Sequence, residues 1–195
     1  MTGRESFSQL LSAVRACTLC DGLPLGPKPI VQLNPKARIL INSQAPGRIA
    51  HEKDIAFLDP SGVRLRRWMG LSEDEFYNSG RIAILPTGFC FPGTGTGGDL
   101  PPRPICAPTW HERVMAQMPD IKLTLVIGTY AINARYAGQA KMTLTQRVKS
   151  GTGRTGDLFP MPHPSPRNNR WLKANPWFEG EVIPLLQTRI RALMD

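Results

Sequence analysis

Leu123-Thr124-Leu125-Val126-Ile127-Gly128 is the clearest candidate for a buried strand in this chain of 195 residues. Short, continuously apolar segments are typical of parallel strands that are covered on both faces. Three similar segments occur, and helical patterns separate them. This alternation predicts an α/β fold, a three-layer α/β/α sandwich around a central, mainly parallel four-stranded sheet. The other predicted strands are 37–42, 82–85 and 158–161, and the predicted helices are 5–16, 61–69, 72–78, 108–118, 129–137, 141–149 and 178–193.

Loops at the carboxyl ends of parallel strands are where such sheets bind ligands. Three long loops rich in glycine, proline and polar residues follow predicted strands, at 43–62, 86–106 and 162–170. We therefore expect the chemistry of the protein to lie in these three loops.

The composition, with 41% hydrophobic residues, is that of a globular protein, and the length favours one domain over residues 1–195. No apolar run is long enough to span a bilayer, and Met1 to Ser6 carry no apolar signal, so we expect a cytoplasmic protein. A net charge of +9 favours a polyanionic partner; a basic surface that is merely solvated is the alternative. The basic clusters are Arg64, Arg66 and Arg67, and Arg167, Arg170 and Lys173.

The four cysteines of the chain form a pattern: Cys17-x-x-Cys20, and then Cys90 and Cys106 with fifteen residues between them. A CxxC turn brings two thiolates close enough to share a metal centre, and two cysteines on other loops would complete a four-thiolate site. A reducing compartment favours metal ligation over disulfides. Two structural disulfides, or separate buried thiols, are the alternatives.

The loop after the first predicted strand ends in Phe57-Leu58-Asp59-Pro60-Ser61-Gly62. Phe57 can stack on an aromatic base. Asp59 precedes a helix start, where the helix dipole favours an ionised carboxylate. The alternative is a turn and helix cap, with Ser61 as the predicted N-cap and Phe57 in the core.

The loop after the last predicted strand reads His163-Pro164-Ser165-Pro166-Arg167-Asn168. Prolines on either side hold the backbone, so His163 can donate a hydrogen bond to developing negative charge, and Arg167 can reach a phosphate. An ordinary surface turn is the alternative. His111, in a polar helix, is predicted to be solvated. The three histidines show no HxH or HExxH spacing, which disfavours a metal-dependent hydrolase.

Together these segments resemble the uracil-DNA glycosylase superfamily, and more narrowly its iron–sulfur branches, families 4 and 5. The resemblance covers most of the chain, from the CxxC turn to the residues after His163. The cysteine pattern is similar to that of family 4, and Ser43-Gln44-Ala45-Pro46-Gly47 resembles its first motif, Gly-Glu-Ala-Pro-Gly. His163-Pro164-Ser165 resembles the second motif, and Asn168 matches an asparagine that follows it in family 5.

Two departures from these motifs concern the catalytic carboxylate. Gln44 stands where family 4 has a catalytic Glu, and Ala45 stands where the best-known branch has the Asp of Asp-Pro-Tyr-His. The segment from Phe57 to Gly62 is more similar to family 5, where an Asp just before Ser-Gly supports catalysis. The resemblance therefore assigns that role to Asp59, and the mixture of features leaves the subfamily open.

The resemblance implies a base-excision repair enzyme that flips uracil out of DNA and hydrolyses its N-glycosidic bond, leaving an abasic site. Asp59 and His163 would be catalytic, and a [4Fe–4S] cluster, or else zinc or no metal, would occupy the cysteine site. The enzyme would bind uracil-containing DNA and act as a monomer. Its implied uracil-binding residues are Gln44, Ala45, Pro46, Gly47, Phe57 and Asn168; its implied DNA-binding residues are Ser165, Pro166, Arg167 and Arg170; its implied cluster ligands are Cys17, Cys20, Cys90 and Cys106.

Two other functions are compatible with the same residues. A less strictly matched pocket would suit a glycosylase for another deaminated base, such as hypoxanthine or xanthine. Because Gln44 and Ala45 are both uncharged, a module that binds uracil-containing DNA without cutting it is the other alternative.

Overall fold

The structure is a computed structural model and describes residues 5–151 and 156–195. Residues 1–4 lie outside the described residues. They belong to the segment Met1 to Ser6, whose lack of an apolar signal supports the prediction of a cytoplasmic protein. Within these two ranges, no helix has the length and apolar character needed to cross a bilayer.

The described residues contain six strands: β1 (Ile39–Asn42), β2 (Ile82–Ile84), β3 (Thr94–Gly95), β4 (Gly98–Asp99), β5 (Leu123–Ile127) and β6 (Leu158–Met161). β3 and β4 form a small antiparallel hairpin. The other four form the central sheet in the order β2-β1-β5-β6, and all three neighbouring pairs are parallel. Every residue of β1, β2 and β5 is buried, which explains their nearly continuous apolar sequence.

Helices cover both faces of this sheet. They are α1 (Phe7–Arg15), α2 (Arg48–Lys53), α3 (Pro60–Met69), α4 (Glu73–Asn78), α5 (Glu112–Ala116), α6 (Thr129–Arg135), α7 (Leu144–Gly151), α8 (Asn169–Ala174) and α9 (Ile183–Met194). The side chains of Ile39 and Ile41 pack with α3, α4, α7 and α9, whereas those of Leu40 and Val126 face α1, α5 and α6. The predicted three-layer α/β/α sandwich is confirmed.

The N-cap of α3 lies two residues before the predicted one. Asp59, and not Ser61, is the N-cap, because its Oδ1 accepts a hydrogen bond from Gly62 N at 2.8 Å. Pro60 occupies the first helical position, where the missing N–H has no intrahelical partner to lose. Ser61 is buried inside the first turn.

Three local features were not expected from the sequence. The chain forms α2 inside the predicted loop 43–62 and the β3–β4 hairpin inside the loop at 86–106, and α8 begins at the end of the predicted loop 162–170. The prediction of a solvated His111 is wrong. Its Nε2 lies 2.9 Å from the carbonyl oxygen of Pro86 and its ring stacks on Phe89, so burial lowers the pKa of His111.

The strand order creates a crevice above the centre of the sheet. From β1 the chain continues to β2 on one side, and from β5 it continues to β6 on the other. The loops that follow β1 and β5 therefore diverge, and open α/β sheets bind ligands at such a switch point, outside the carboxyl ends of the strands.

Candidate active site

A cavity of about 530 Å³ lies at the carboxyl edge of the sheet, where segments that follow all four central strands meet. Its volume is typical of small-ligand sites. The β3–β4 hairpin forms part of its wall through Gly97 and Asp99. The lining side chains with hydrogen-bonding or aromatic groups include Gln44, Phe57, Asp59, Tyr130, His163 and Asn168.

His163 comes two residues after β6, and its ring is held in one tautomer. The backbone N–H of Ser165 donates to Nδ1 at 3.2 Å, so the proton of the neutral ring lies on Nε2. Burial lowers the pKa of His163 to about 4, although the nearby carboxylate of Asp59 opposes this shift. At neutral pH, His163 is therefore an uncharged hydrogen-bond donor in the cavity wall.

Asp59 caps α3 and lines the same cavity. Its Oδ1 is occupied by Gly62 N, while Oδ2 accepts no hydrogen bond from any other residue in the described ranges. A carboxylate at this end of a helix is stabilised by the helix dipole and by the first-turn N–H groups. The sequence offered the helix cap and the catalytic role of Asp59 as alternatives. The two are compatible, because Oδ1 accepts the capping hydrogen bond and Oδ2 is left for a ligand.

The structure brings the two predicted catalytic residues together. Asp59 and His163 come from different loops, yet both line one cavity, and the Asp59 carboxylate acts on the imidazole of His163. The arrangement combines a fixed negative charge with a neutral donor, as needed to stabilise a transition state that separates positive from negative charge.

Phe57 lines the same cavity in an unusual backbone conformation. Its φ is +58°, a left-handed value that costs an L-residue of this size roughly 1–2 kcal/mol. Its ring centroid lies 6.5 Å from that of His163 and the planes differ by 28°. Strained residues that the surrounding structure holds in place are common at functional sites. The predicted stacking role of Phe57 fits its position in the cavity wall.

Two neighbours hold the backbone of Phe57. The buried guanidinium of Arg66 donates to Phe57 O at 3.3 Å and to Glu73 at 2.9 Å. Gly62 lies so close that a Cβ there would be 1.6 Å from Phe57 O. The close approach of the two backbones therefore requires a glycine at position 62.

Gln44 and Gly128 show a similar close contact on the other wall. Gly128 has a φ of +83°, and a Cβ there would lie 3.0 Å from Cδ of Gln44. Gly88 N donates to Gln44 O at 2.8 Å, which fixes the backbone. The predicted uracil-binding residues that line the cavity are Gln44, Ala45, Pro46, Gly47, Phe57 and Asn168.

Asn168 also has a structural contact, because its Nδ2 donates to His163 O at 2.7 Å. Of the predicted DNA-binding residues, Ser165, Pro166 and Arg167 line the cavity, whereas Arg170 lies on the exposed side of α8. Arg167 donates to Gly97 O at 3.2 Å and lies against Gly98, whose φ of +127° and missing Cβ leave room for the guanidinium.

The cavity residues that were missed from the sequence include three with hydrogen-bonding side chains. Thr129 and Tyr130 follow β5, and Asp99 belongs to the hairpin. Ligands bind beyond the carboxyl ends of parallel strands, and this rule applies to β5 as well. Gly128, at the end of β5, could therefore have indicated that Thr129 and Tyr130 lie in the site. No signal in the sequence indicated Asp99 as a site residue, because the β3–β4 hairpin was not predicted.

The first basic cluster is engaged within the protein. Arg66 pairs with Glu73 and Arg67 with Glu179, at 2.9 Å and 3.0 Å. Arg64 donates to groups in the loop after β6. The second cluster, Arg167, Arg170 and Lys173, is exposed, and Arg167 of this cluster lines the cavity.

The four cysteines are free thiols, with Cys90 and Cys106 buried and Cys17 and Cys20 partly buried. Burial raises the pKa of the Cys90 thiol and of the Cys106 thiol to about 11; Cys17 and Cys20 add to both shifts, and Cys90 adds to that of Cys106. The thiols are therefore neighbours. Within residues 5–151 and 156–195, no three His, Cys, Asp or Glu side chains are grouped as ligands of a metal ion.

The fold and the cavity define an α/β protein in which a carboxylate and a neutral imidazole line one cavity. The family model of the uracil DNA glycosylase superfamily matches residues 30–187, which is more than half of the chain. The chain belongs to this superfamily, and membership makes it a DNA glycosylase, a hydrolase that acts on DNA. The resemblance to the superfamily is confirmed, and the narrower likeness to families 4 and 5 stays a prediction.

Replacing Gly62 by Ala tests the contact that holds Phe57. The new Cβ would overlap Phe57 O, and overpacking of this kind costs about 1–3 kcal/mol. Gly180→Ala is the matched control, because nothing lies within 4 Å of its Cβ, and it should be neutral or slightly stabilising. Urea unfolding measures the free energy of unfolding of both variants. Equal free energies of unfolding for the two variants would contradict the contact.

The buried, neutral His163 has a consequence for stability. An imidazole in an unfolded chain takes up its proton near pH 6.5, whereas folded His163 does so at about 4. Between these values the unfolded state binds the extra proton, so a falling pH lowers the free energy of unfolding by up to about 1.4 kcal/mol per pH unit. His163→Gln should therefore lose stability less steeply than the wild type between pH 6.5 and pH 4. Parallel curves from urea unfolding would show that the ring is not buried neutral.

Proposed function

We propose that the protein is a monofunctional uracil-DNA glycosylase that flips uracil out of DNA and hydrolyses the bond between the base and the sugar. The observation that carries the proposal is the pairing of Asp59 and His163 in one cavity, on a member of the superfamily. The Nε2–H of a neutral His163 can stabilise negative charge on the departing base. The charge of Asp59 can stabilise positive charge on the sugar.

Cleavage of the N-glycosidic bond leaves negative charge on the base and positive charge on the sugar, as in glycoside hydrolysis. His163 would donate from Nε2 to O2 of uracil as the negative charge develops there. Because Ser165 N already fixes the ring, little reorganisation accompanies the reaction. Removing one preorganised donor of this kind costs about 3 kcal/mol, or about a hundredfold in rate.

Asp59 would act below the sugar. With Oδ1 held by the first turn of α3, the carboxylate has a fixed position, and Oδ2 can orient the attacking water. Its charge would stabilise the oxocarbenium-like sugar. Neither Gln44 nor Ala45 can supply this charge, although both line the cavity.

The flipped base would fill the cavity and stack on Phe57, and the backbone around Gln44 to Gly47 would bind its edge. The segment from Ser165 to Arg167 stands at the mouth, where it would insert into the gap that the base leaves. Arg167, Arg170 and Lys173 would bind phosphates without reading sequence.

A panel of end-labelled duplexes tests the proposal, each with one uracil, hypoxanthine or xanthine, treated with alkali after incubation to cut abasic sites. We expect cleavage at uracil. Asp59→Asn should lower the single-turnover rate at saturating enzyme at least a hundredfold, with little change in DNA affinity or stability, because Asn caps helices as well as Asp does.

Asp59→Ala is the control for the cap. It should lose about 1 kcal/mol of stability in addition to the catalytic defect. Cleavage at hypoxanthine or xanthine alone would reassign the substrate. Binding without cleavage of any duplex would favour the non-catalytic module, and an active Asp59→Asn would remove Asp59 from the mechanism.

For the cysteines we propose a [4Fe–4S] cluster held by Cys17, Cys20, Cys90 and Cys106. Four cysteine thiolates are the usual ligands of such a cluster. A zinc ion held by the same thiolates is the alternative. Four neighbouring free thiols and no carboxylate in the set fit the cluster. Bound iron would tie α1 to the segment between Cys90 and Cys106, and no step of base excision uses it.

Freshly purified protein should be brown, with iron and sulfide in a 1:1 ratio, and Cys90→Ser should lower the iron content strongly. Ser12→Ala, on the exposed side of α1, is a control that should leave the iron content unchanged. Zinc at one equivalent without iron would select the alternative metal. Protein that is free of both metals after anaerobic purification would reject the cluster.

A further inference from the structure

Arg64 has contacts that set it apart from the rest of its basic cluster. It lies on α3, five residues after Asp59, and its Nη1 donates to Pro164 O at 3.2 Å and to Ser165 O at 3.3 Å. Its Nη2 donates to Asn169 Oδ1 at 2.8 Å. Arg64 therefore links the helix that Asp59 caps to the loop that carries His163 by hydrogen bonds.

We propose that Arg64 is a positioning residue, which sets the distance and orientation between Asp59 and His163 by joining α3 to the segment 163–169. The inference rests on the proposed function, in which these two residues act on one glycosidic bond. Arg64 itself is not among the residues that line the cavity.

The loop cannot fix this distance by its own contacts. Ser165 N donates to the His163 ring, Asn168 N donates to Ser165 O, and Asn168 Nδ2 donates to His163 O, so these bonds keep the loop's shape. They join the loop only to itself. Arg167 links the loop to the hairpin on the opposite wall. Among the described residues, Arg64 is the α3 side chain that hydrogen bonds to the loop.

The guanidinium suits this task for chemical reasons. It is planar, keeps its charge and presents several N–H donors in a fixed fork, so it can hold two carbonyls and an amide at once. A lysine ammonium has the same charge but no fork. The alternative role for Arg64 is direct binding of a DNA phosphate, in which a lysine can replace it.

These two roles lead to different results for Arg64→Lys. Arg67→Lys is the matched control, because Arg67 lies on the same helix and pairs with Glu179, away from the loop. We expect Arg64→Lys to lower the single-turnover rate of uracil release about tenfold or more, with the affinity for a uracil-containing duplex and its salt dependence as in the wild type. Arg67→Lys should leave all three unchanged.

Hydrogen exchange of the free protein reports on the contact without any substrate. The amides of Ser165 and Asn168 should exchange faster in Arg64→Lys than in the wild type or in Arg67→Lys. Melting temperatures confirm that each variant is folded, and Asn169→Ala, which removes one acceptor of the three, serves if Arg64→Lys does not fold.

Four outcomes distinguish the positioning role from the phosphate contact and from a failure of the proposed function. Slower release with faster loop exchange supports the positioning role. A rate and an exchange pattern equal to those of Arg67→Lys would overturn it, as would an Arg64→Met variant whose only defect is a salt slope of log Kd reduced by about 1, the mark of a lost phosphate contact. If the wild type releases no base while loop exchange still responds to Arg64→Lys, the proposed function fails and the structural contact stands.

Discussion

The hydrogen bond from Gly62 N to Oδ1 of Asp59 is the contact on which the site depends. It starts α3, and the start of α3 decides what each later residue of the helix meets. Gly62 then lies under Phe57 O, Arg64 reaches the loop after β6, and Arg66 reaches Phe57 O from the buried side. A different first turn would displace the carboxylate, the aromatic ring and the loop together.

The architecture follows from features that a sequence displays well. β1 and β5 are buried on both faces, so their apolar runs were recognisable in the sequence. Because parallel sheets bind ligands at the loops beyond the carboxyl ends of their strands, the loops that carry Asp59 and His163 could then be located. The cap was misplaced by two residues because both Asp and Ser are good N-caps. Pro60 at the first helical position was the deciding signal.

Other features depend on contacts between distant parts of the chain, which a single sequence does not display. The stacking of His111 on Phe89, the left-handed φ of Phe57 and the fit of Arg167 against Gly98 are of this kind. The sequence groups Arg64, Arg66 and Arg67 as one basic cluster, yet the three guanidiniums make three separate sets of internal contacts. Charge composition predicts a polyanionic partner, but not which cations remain available to it.

In the proposed mechanism Asp59 and His163 face the two ends of one glycosidic bond, and a crystal structure of Asp59→Asn bound to a uracil-containing duplex would show this arrangement. We expect an extruded uracil in the cavity, stacked on Phe57, with Nε2 of His163 within about 2.6–3.2 Å of O2 and the residue 59 side chain beside the sugar. A uracil bound elsewhere, or one with O2 turned away from His163, would rule out the proposed roles of both residues.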